Sequence, residues 1–178
     1  MERLIEINKP EDFPQRYQDT NIAKLIEYHN FNKPQDDYEN AELLIGMCMD
    51  HRKSLNIPTK FAYILRTGGA NMKYSLFKIS FAIAIGKIKT IAIIGHTQCG
   101  MVDLASKKEE FIQSLVENAG ITQSDAKEHF NHYTKYEIGN EVDFVLSEVK
   151  RLREIYPKIL IAPLIYKVED DHLYLIKE

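Results

Sequence analysis

The sequence predicts an α/β domain, a mostly parallel central β-sheet flanked by helices, and three observations carry that expectation. Apolar runs of strand length recur at residues 42–47, 61–65, 89–95 and 159–168. Between them lie segments whose apolar residues fall at steps of three and four, the spacing of one helix face. The chain has 178 residues, 44% of them hydrophobic, enough to build one globular domain with a real core across residues 1–178.

The elements follow in order. Residues 1–40 read as an N-terminal arm, helical and irregular by turns. Pro10, Pro14 and scattered charges make 10–20 an irregular lead-in, whereas Ile22, Leu25 and Ile26 place a helix over 21–30. Pro34 and the Asp36-Asp37 pair break the chain before the strand at 42–47. The strand at 61–65 ends in Arg66-Thr67-Gly68-Gly69-Ala70-Asn71. Residues 74–85 are apolar enough for a mostly buried helix, stopped by Gly86. The strand at 89–95 follows, and a helix is expected to start within 100–106. Residues 109–135 are charged, helix-prone and weakly periodic. Val142, Val145, Leu146, Val149 and Leu152 mark an amphipathic helix over 141–155. The runs at 159–168 and 173–176 close the chain as strands around an Asp170-Asp171 turn.

Composition excludes several function classes. The net charge is -3 and no dense Lys/Arg stretch occurs, which argues against a nucleic-acid surface resting on clustered cations. No apolar stretch reaches the ~18–20 residues of a membrane span. The first residues carry no secretory leader pattern, so the cytoplasm is the expected compartment, and its reducing conditions suit cysteines that must stay thiolates.

The chain has two cysteines, each in a short polar cluster that directly follows an apolar run. Cys48 opens Cys48-Met49-Asp50-His51-Arg52, and Cys99 closes His96-Thr97-Gln98-Cys99 ahead of Gly100. In open α/β sheets ligands bind beyond the carboxyl ends of the strands, and both clusters fall there. Two thiolates and an imidazole form a donor set for Zn2+, and a Cys2His set leaves the fourth tetrahedral position open, as in catalytic zinc sites. The metal-ligand candidates are therefore Cys48, His96 and Cys99. Asp50 and Arg52 stand two residues apart, where the planar guanidinium pairs bidentately with the carboxylate and keeps it ionised. The same residues also fit plainer roles: buried small thiols, and an ion pair at a strand end. His129 and His132 have helical spacing, but no third ligand stands near them in sequence.

The paired arrangement, Cys48-x-Asp50-x-Arg52 and then His96-x-x-Cys99-Gly100, resembles the signature of the β-class carbonic anhydrases. Ile64-Leu65-Arg66-Thr67-Gly68-Gly69 is similar to that family's strand, arginine and glycine turn. The order helix, Gly86, strand, His96 also follows the family. The resemblance is strong over residues 42–106 and looser over 140–176, where the closing helix and strands look like those of the shortest members. It implies a β-carbonic anhydrase-like fold, a Zn2+ cofactor, and reversible hydration of carbon dioxide to bicarbonate by a zinc-activated hydroxide. Asp50 would orient that nucleophile, with Arg52 as its partner. Arg66, Gly68 and Gly69 would lie on the substrate side. The partner is then a small molecule, with neither nucleic acid nor membrane involved, and the chain is expected to form a homodimer or a multiple of dimers. Short scaffolds of this kind also hydrolyse carbonyl sulfide or carbon disulfide. A third class, a non-catalytic zinc-binding module, is disfavoured because structural zinc takes four protein ligands.

Three departures from the family pattern stand out. Gln98 occupies a position where many members carry aspartate, which removes a charge beside the metal. Phe77 replaces a small polar residue and bears on pocket width or interface packing. Residues 53–58 replace an acidic, glycine-containing stretch.

Overall fold

The computed structural model describes residues 3–134 and 137–178. Six strands form one sheet: β1 (Leu4–Ile5), β2 (Leu43–Cys48), β3 (Ala62–Thr67), β4 (Thr90–His96), β5 (Leu160–Lys167) and β6 (His172–Ile176), in the order β1-β6-β5-β4-β2-β3. The pairs β2·β3, β2·β4 and β4·β5 are parallel, while β5·β6 and β1·β6 are antiparallel. Every residue of β2 and β4 is buried, as expected of inner strands of a parallel sheet covered on both faces.

The described residues form five α-helices: α1 (Asn21–Asn30), α2 (Leu76–Ala84), α3 (Lys108–Ala119), α4 (Gln123–Tyr133) and α5 (Glu141–Ile155). The alternation along the strands divides the core in two. Ile45, Met47, Ala92, Ile94, Ala162 and Leu164 face α1 and the lead-in segment, packing on Ile22, Leu25 and Ile26. Leu44, Ile91, Ile93 and Ile161 face the other way, onto Ile79 of α2 and Val145, Val149 and Leu152 of α5. Local chemistry sets the helix ends. The Thr20 hydroxyl accepts from the Ile22 N–H, and the Asn140 side chain accepts from Val142 and Asp143. Gly120, in the left-handed region at φ 70°, ends α3.

The structure corrects some sequence expectations and refines others. The helix over 74–85 is not mostly buried: α2 spans Leu76–Ala84 with only Ile79 and Ala82 buried, and Phe77, Phe81 and Ile85 lie open on its outer face. The helix expected to start within 100–106 starts at the end of that range: a 3-10 turn over Ala105–Lys107 leads into α3 at Lys108, while Ile138 donates its N–H to the Met101 carbonyl and Val102 forms a bridge with Ile138, drawing the segment before it along another part of the chain. The charged stretch 109–135 resolves into the hairpin α3–α4 with a small core of Ile112, Ala126 and Phe130, its last residue lying outside the described ones. The N-terminal arm also supplies a strand, because Leu4 and Ile5 pair with Ile176 and Leu175 at the sheet edge. Among the described residues no helix is long and apolar enough to cross a membrane.

Candidate metal centre

Parallel neighbours β2 and β4 bring their carboxyl ends side by side, with Met47 opposite Ile94. Cys48 is the last residue of β2, His96 the last of β4, and Cys99 follows in the turn after it. All three are buried, and their ligand atoms lie within 4.8 Å of one another. Both cysteines are free thiols. Ligands at zinc distances in a tetrahedron sit about 3.8 Å apart for two sulfurs, so the cluster needs only a small contraction to hold the ion.

His96 is oriented for ligation. Its Nδ1–H donates to the Thr97 carbonyl at 2.8 Å, which fixes the tautomer and leaves the Nε2 lone pair free. That Nε2 is buried without a hydrogen-bond partner, a costly state that a metal ion relieves. The donor set, two sulfurs and one imidazole nitrogen, fits zinc.

The thiols are unequal. The Cys99 thiol, then the N–H groups of Asp50 and Gly69, stabilise the Cys48 thiolate and hold its pKa far below the ordinary thiol value. The Cys48 sulfur in turn, together with burial, pushes Cys99 up. Gly69 delivers its N–H to Cys48 Sγ at 3.3 Å from a left-handed conformation, φ 63°. A Cβ there would lie 2.9 Å from Ile138 Cγ2, so this close approach requires glycine.

Asp50 stands beside the cluster, Oδ2 3.8 Å from His96 Nε2. Arg52 grips its carboxylate: Nε donates to Oδ1 at 3.0 Å and Nη2 to Oδ2 at 2.7 Å, with the Arg52 N–H adding a bond to Oδ1 at 2.9 Å. The Arg52 side chain thereby holds the Asp50 carboxyl well below the usual carboxylate range. Arg66 lies behind this loop. Its guanidinium donates to the carbonyls of Cys48, Asp50 and Lys53 at 3.3, 3.4 and 3.3 Å. Gly68 packs against Met101. An apolar collar of Ile138, Met101, Val102 and Phe144 surrounds the two cysteines.

Several contributors escape a reading of the sequence. Lys53 is buried, 3% exposed, with Nζ donating to the Cys48 carbonyl at 3.4 Å; burial pulls its pKa down. Glu141, at the start of α5, accepts the Cys99 N–H at 3.2 Å. Glu169 accepts from Thr97 and Gln98. Each comes from a segment remote from the motifs or hidden in a charged run, so spacing carries no signal for it. Gln98 points its amide to Arg52 and Glu169. Phe77 is 81% exposed, on the surface. His129 and His132 pack against Tyr133 and join no group of three ligands among the described residues.

A model of the carbonic anhydrase family matches residues 43–167. A search of curated protein sequences returns no significant match. Among solved structures, a β-carbonic anhydrase from Trichomonas vaginalis superposes with a TM-score of 0.65 at 16% identity, covering 88% of this chain and 95% of that one. A carbonic anhydrase from Glaciozyma antarctica gives 0.62 at 17% identity, covering 90% and 98%. A carbon disulfide hydrolase in its apo form gives 0.55 at 23% identity, covering 90% of each chain.

Proposed function

The chain belongs to the carbonic anhydrase family, with the fold of the β-class enzymes, and we propose that it is a zinc lyase interconverting carbon dioxide and bicarbonate. The observation that carries this reading is the convergence of Cys48, His96 and Cys99 within 4.8 Å, with the unpaired His96 Nε2 facing Asp50. Zinc held by these residues supplies a Lewis acid that makes water nucleophilic near neutral pH.

The remaining chemistry belongs to the chain. Cys48 and Cys99 bring two negative charges, so acidification of water is weaker than with histidines alone and activity favours mildly alkaline pH. Asp50, ionised through Arg52, can only accept; at Oδ2 it takes a hydrogen bond from the attacking water and aims its lone pair at the substrate carbon. Arg66 shapes the Asp50 loop through its carbonyls, and Gly68 and Gly69 let backbone approach the substrate side. The collar of Met101, Val102, Ile138 and Phe144 suits an uncharged linear molecule. Carbonyl sulfide and carbon disulfide share that shape, and the same groups would act on them. Purified protein with zinc quantified, assayed side by side with carbon dioxide and carbonyl sulfide, tests the reading. Turnover of carbon dioxide is the expected result, and a zinc-loaded protein inert towards it overturns the assignment.

The proposed setting is a reducing cytoplasm, which keeps both cysteines available as ligands. The proposed assembly is a homodimer or a multiple of it. Tyr63 and Ile64 on the edge strand β3 and Phe77, Phe81 and Ile85 on and beyond α2 are exposed large hydrophobics, an arrangement that marks interaction surfaces. Phe77→Glu together with Phe81→Glu is expected to convert the dimer to monomer in sedimentation, without loss of helical circular dichroism. A doubly substituted protein that stayed dimeric would place the interface elsewhere.

A further inference from the structure

We propose that Gln98 and Glu169 form a strut that positions Arg52, and through it Asp50, from outside the metal ligands; the catalytic consequence rests on the dyad proposed above. Gln98 takes the left-handed conformation at φ 56°, which turns two acceptors toward one guanidinium. Its main-chain oxygen accepts from Arg52 Nη2 at 3.0 Å and its Oε1 from Nη1 at 3.4 Å. Its Nε2 donates to Glu169 Oε1 at 2.9 Å. The other Glu169 oxygen accepts from the Thr97 hydroxyl at 2.7 Å, and that hydroxyl accepts the Val168 N–H at 3.0 Å. The line of contacts runs from the end of β5 to Asp50.

Chemistry settles which way the amide faces. A guanidinium offers only donors and a carboxylate only acceptors, so oxygen turns to Arg52 and nitrogen to Glu169. Asp50 engages one edge of the Arg52 fork through Nε and Nη2, and a side chain that is 37% exposed still pivots about that edge. Gln98 takes the adjacent Nη1–Nη2 end of the guanidinium from a different strand end, which restrains the pivot. A carboxylate at position 98 would oppose Glu169 and compete with Asp50 for the guanidinium. Neutral glutamine serves both neighbours without diverting the charge pair.

Gln98→Met keeps the length and removes both polar atoms of the amide. The expected result is a fall in kcat of roughly 10-fold, the size common for groups that orient a metal site from outside it, with KM and bound zinc little changed. Glu169→Ala should move kcat the same way, and Glu169→Gln, which still offers oxygen to the Gln98 amide, should recover most of it. In an Arg52→Ala background Gln98→Met should change the rate by less than about 2-fold, because its target is gone; equal factors in both backgrounds overturn the strut. A second measurement needs no turnover: solvent exchange of the Arg52 Nε–H, followed by NMR in metal-free and zinc-loaded protein. It should be slow in the wild type and quicken in Gln98→Met. Exchange that is fast in the wild type or unchanged in the variant overturns the proposal. Slowing that depends on Gln98 in a protein inert to carbon dioxide would uphold the strut and refute the hydration reading instead.

Discussion

Asp50→Asn should lower the carbon dioxide hydration rate by about 10²- to 10³-fold, the usual cost of losing one preorganised electrostatic partner, while zinc content stays close to wild type. The two halves of that result have separate causes. Asp50 is not one of the three clustered ligands, so the metal site keeps its donors. Its carboxylate, however, must accept on both sides at once: from Arg52 Nε and Nη2, and from the attacking water. An asparagine amide has one oxygen. If that oxygen stays on Arg52, the nitrogen presents a donor to the water, where an acceptor is needed. If the amide flips, its nitrogen faces a guanidinium that also only donates. Either orientation loses the function while preserving the size of the side chain. Stopped-flow rates beside elemental analysis read both halves, and near wild-type turnover would make the Asp50-Arg52 pair a purely structural ion pair.

How much of this was legible in the sequence follows from which interactions are local. The inner strands and α1 and α5 were readable because burial on one or two faces imposes a period on nearby residues. Cys48, Asp50, Arg52, His96 and Cys99 were readable because each cluster spans a few residues at one strand end. β1 was not: two residues pairing with Ile176 and Leu175 across the whole chain leave no periodic trace. The surface position of α2 was hidden for another reason, since an apolar helix reads alike whether its outer face meets the core or another protein. Gln98 illustrates a third limit. The family resemblance identified it as a missing charge, but its role comes from Glu169, whose approach depends on the turn between β5 and β6. Lys53 carries no signal of burial in the sequence, yet the fold closes over it and leaves it the Cys48 carbonyl.

Cys99→Ser should remove zinc almost completely, from near one equivalent per chain in the wild type, with an affinity loss well above the ~10- to 100-fold typical of groups that only orient ligands. Serine is close in size, and Cys99 sits in a small buried cluster with Cys48 and Ile138, so the fold should persist by circular dichroism. The loss is therefore one of charge and softness at the ligand. Proton release gives a sharper reading of the same event. Without metal, the two hydrogen-bonded thiols share one proton, since their contact lowers the pKa of Cys48 and raises that of Cys99. Zinc requires both sulfurs deprotonated. Binding near neutral pH should then expel about one proton, the shared one, rather than two, and affinity should rise with pH by about 10-fold per unit while the pair keeps that proton in the free protein. Calorimetry of zinc binding in buffers of different ionisation enthalpy counts that proton directly. Release of two protons by the wild type would mean that the pair holds no preformed thiolate. A folded wild-type protein that takes up no zinc at all, purified without chelator, would leave Cys48 and Cys99 as buried thiols and remove the basis of the proposed chemistry.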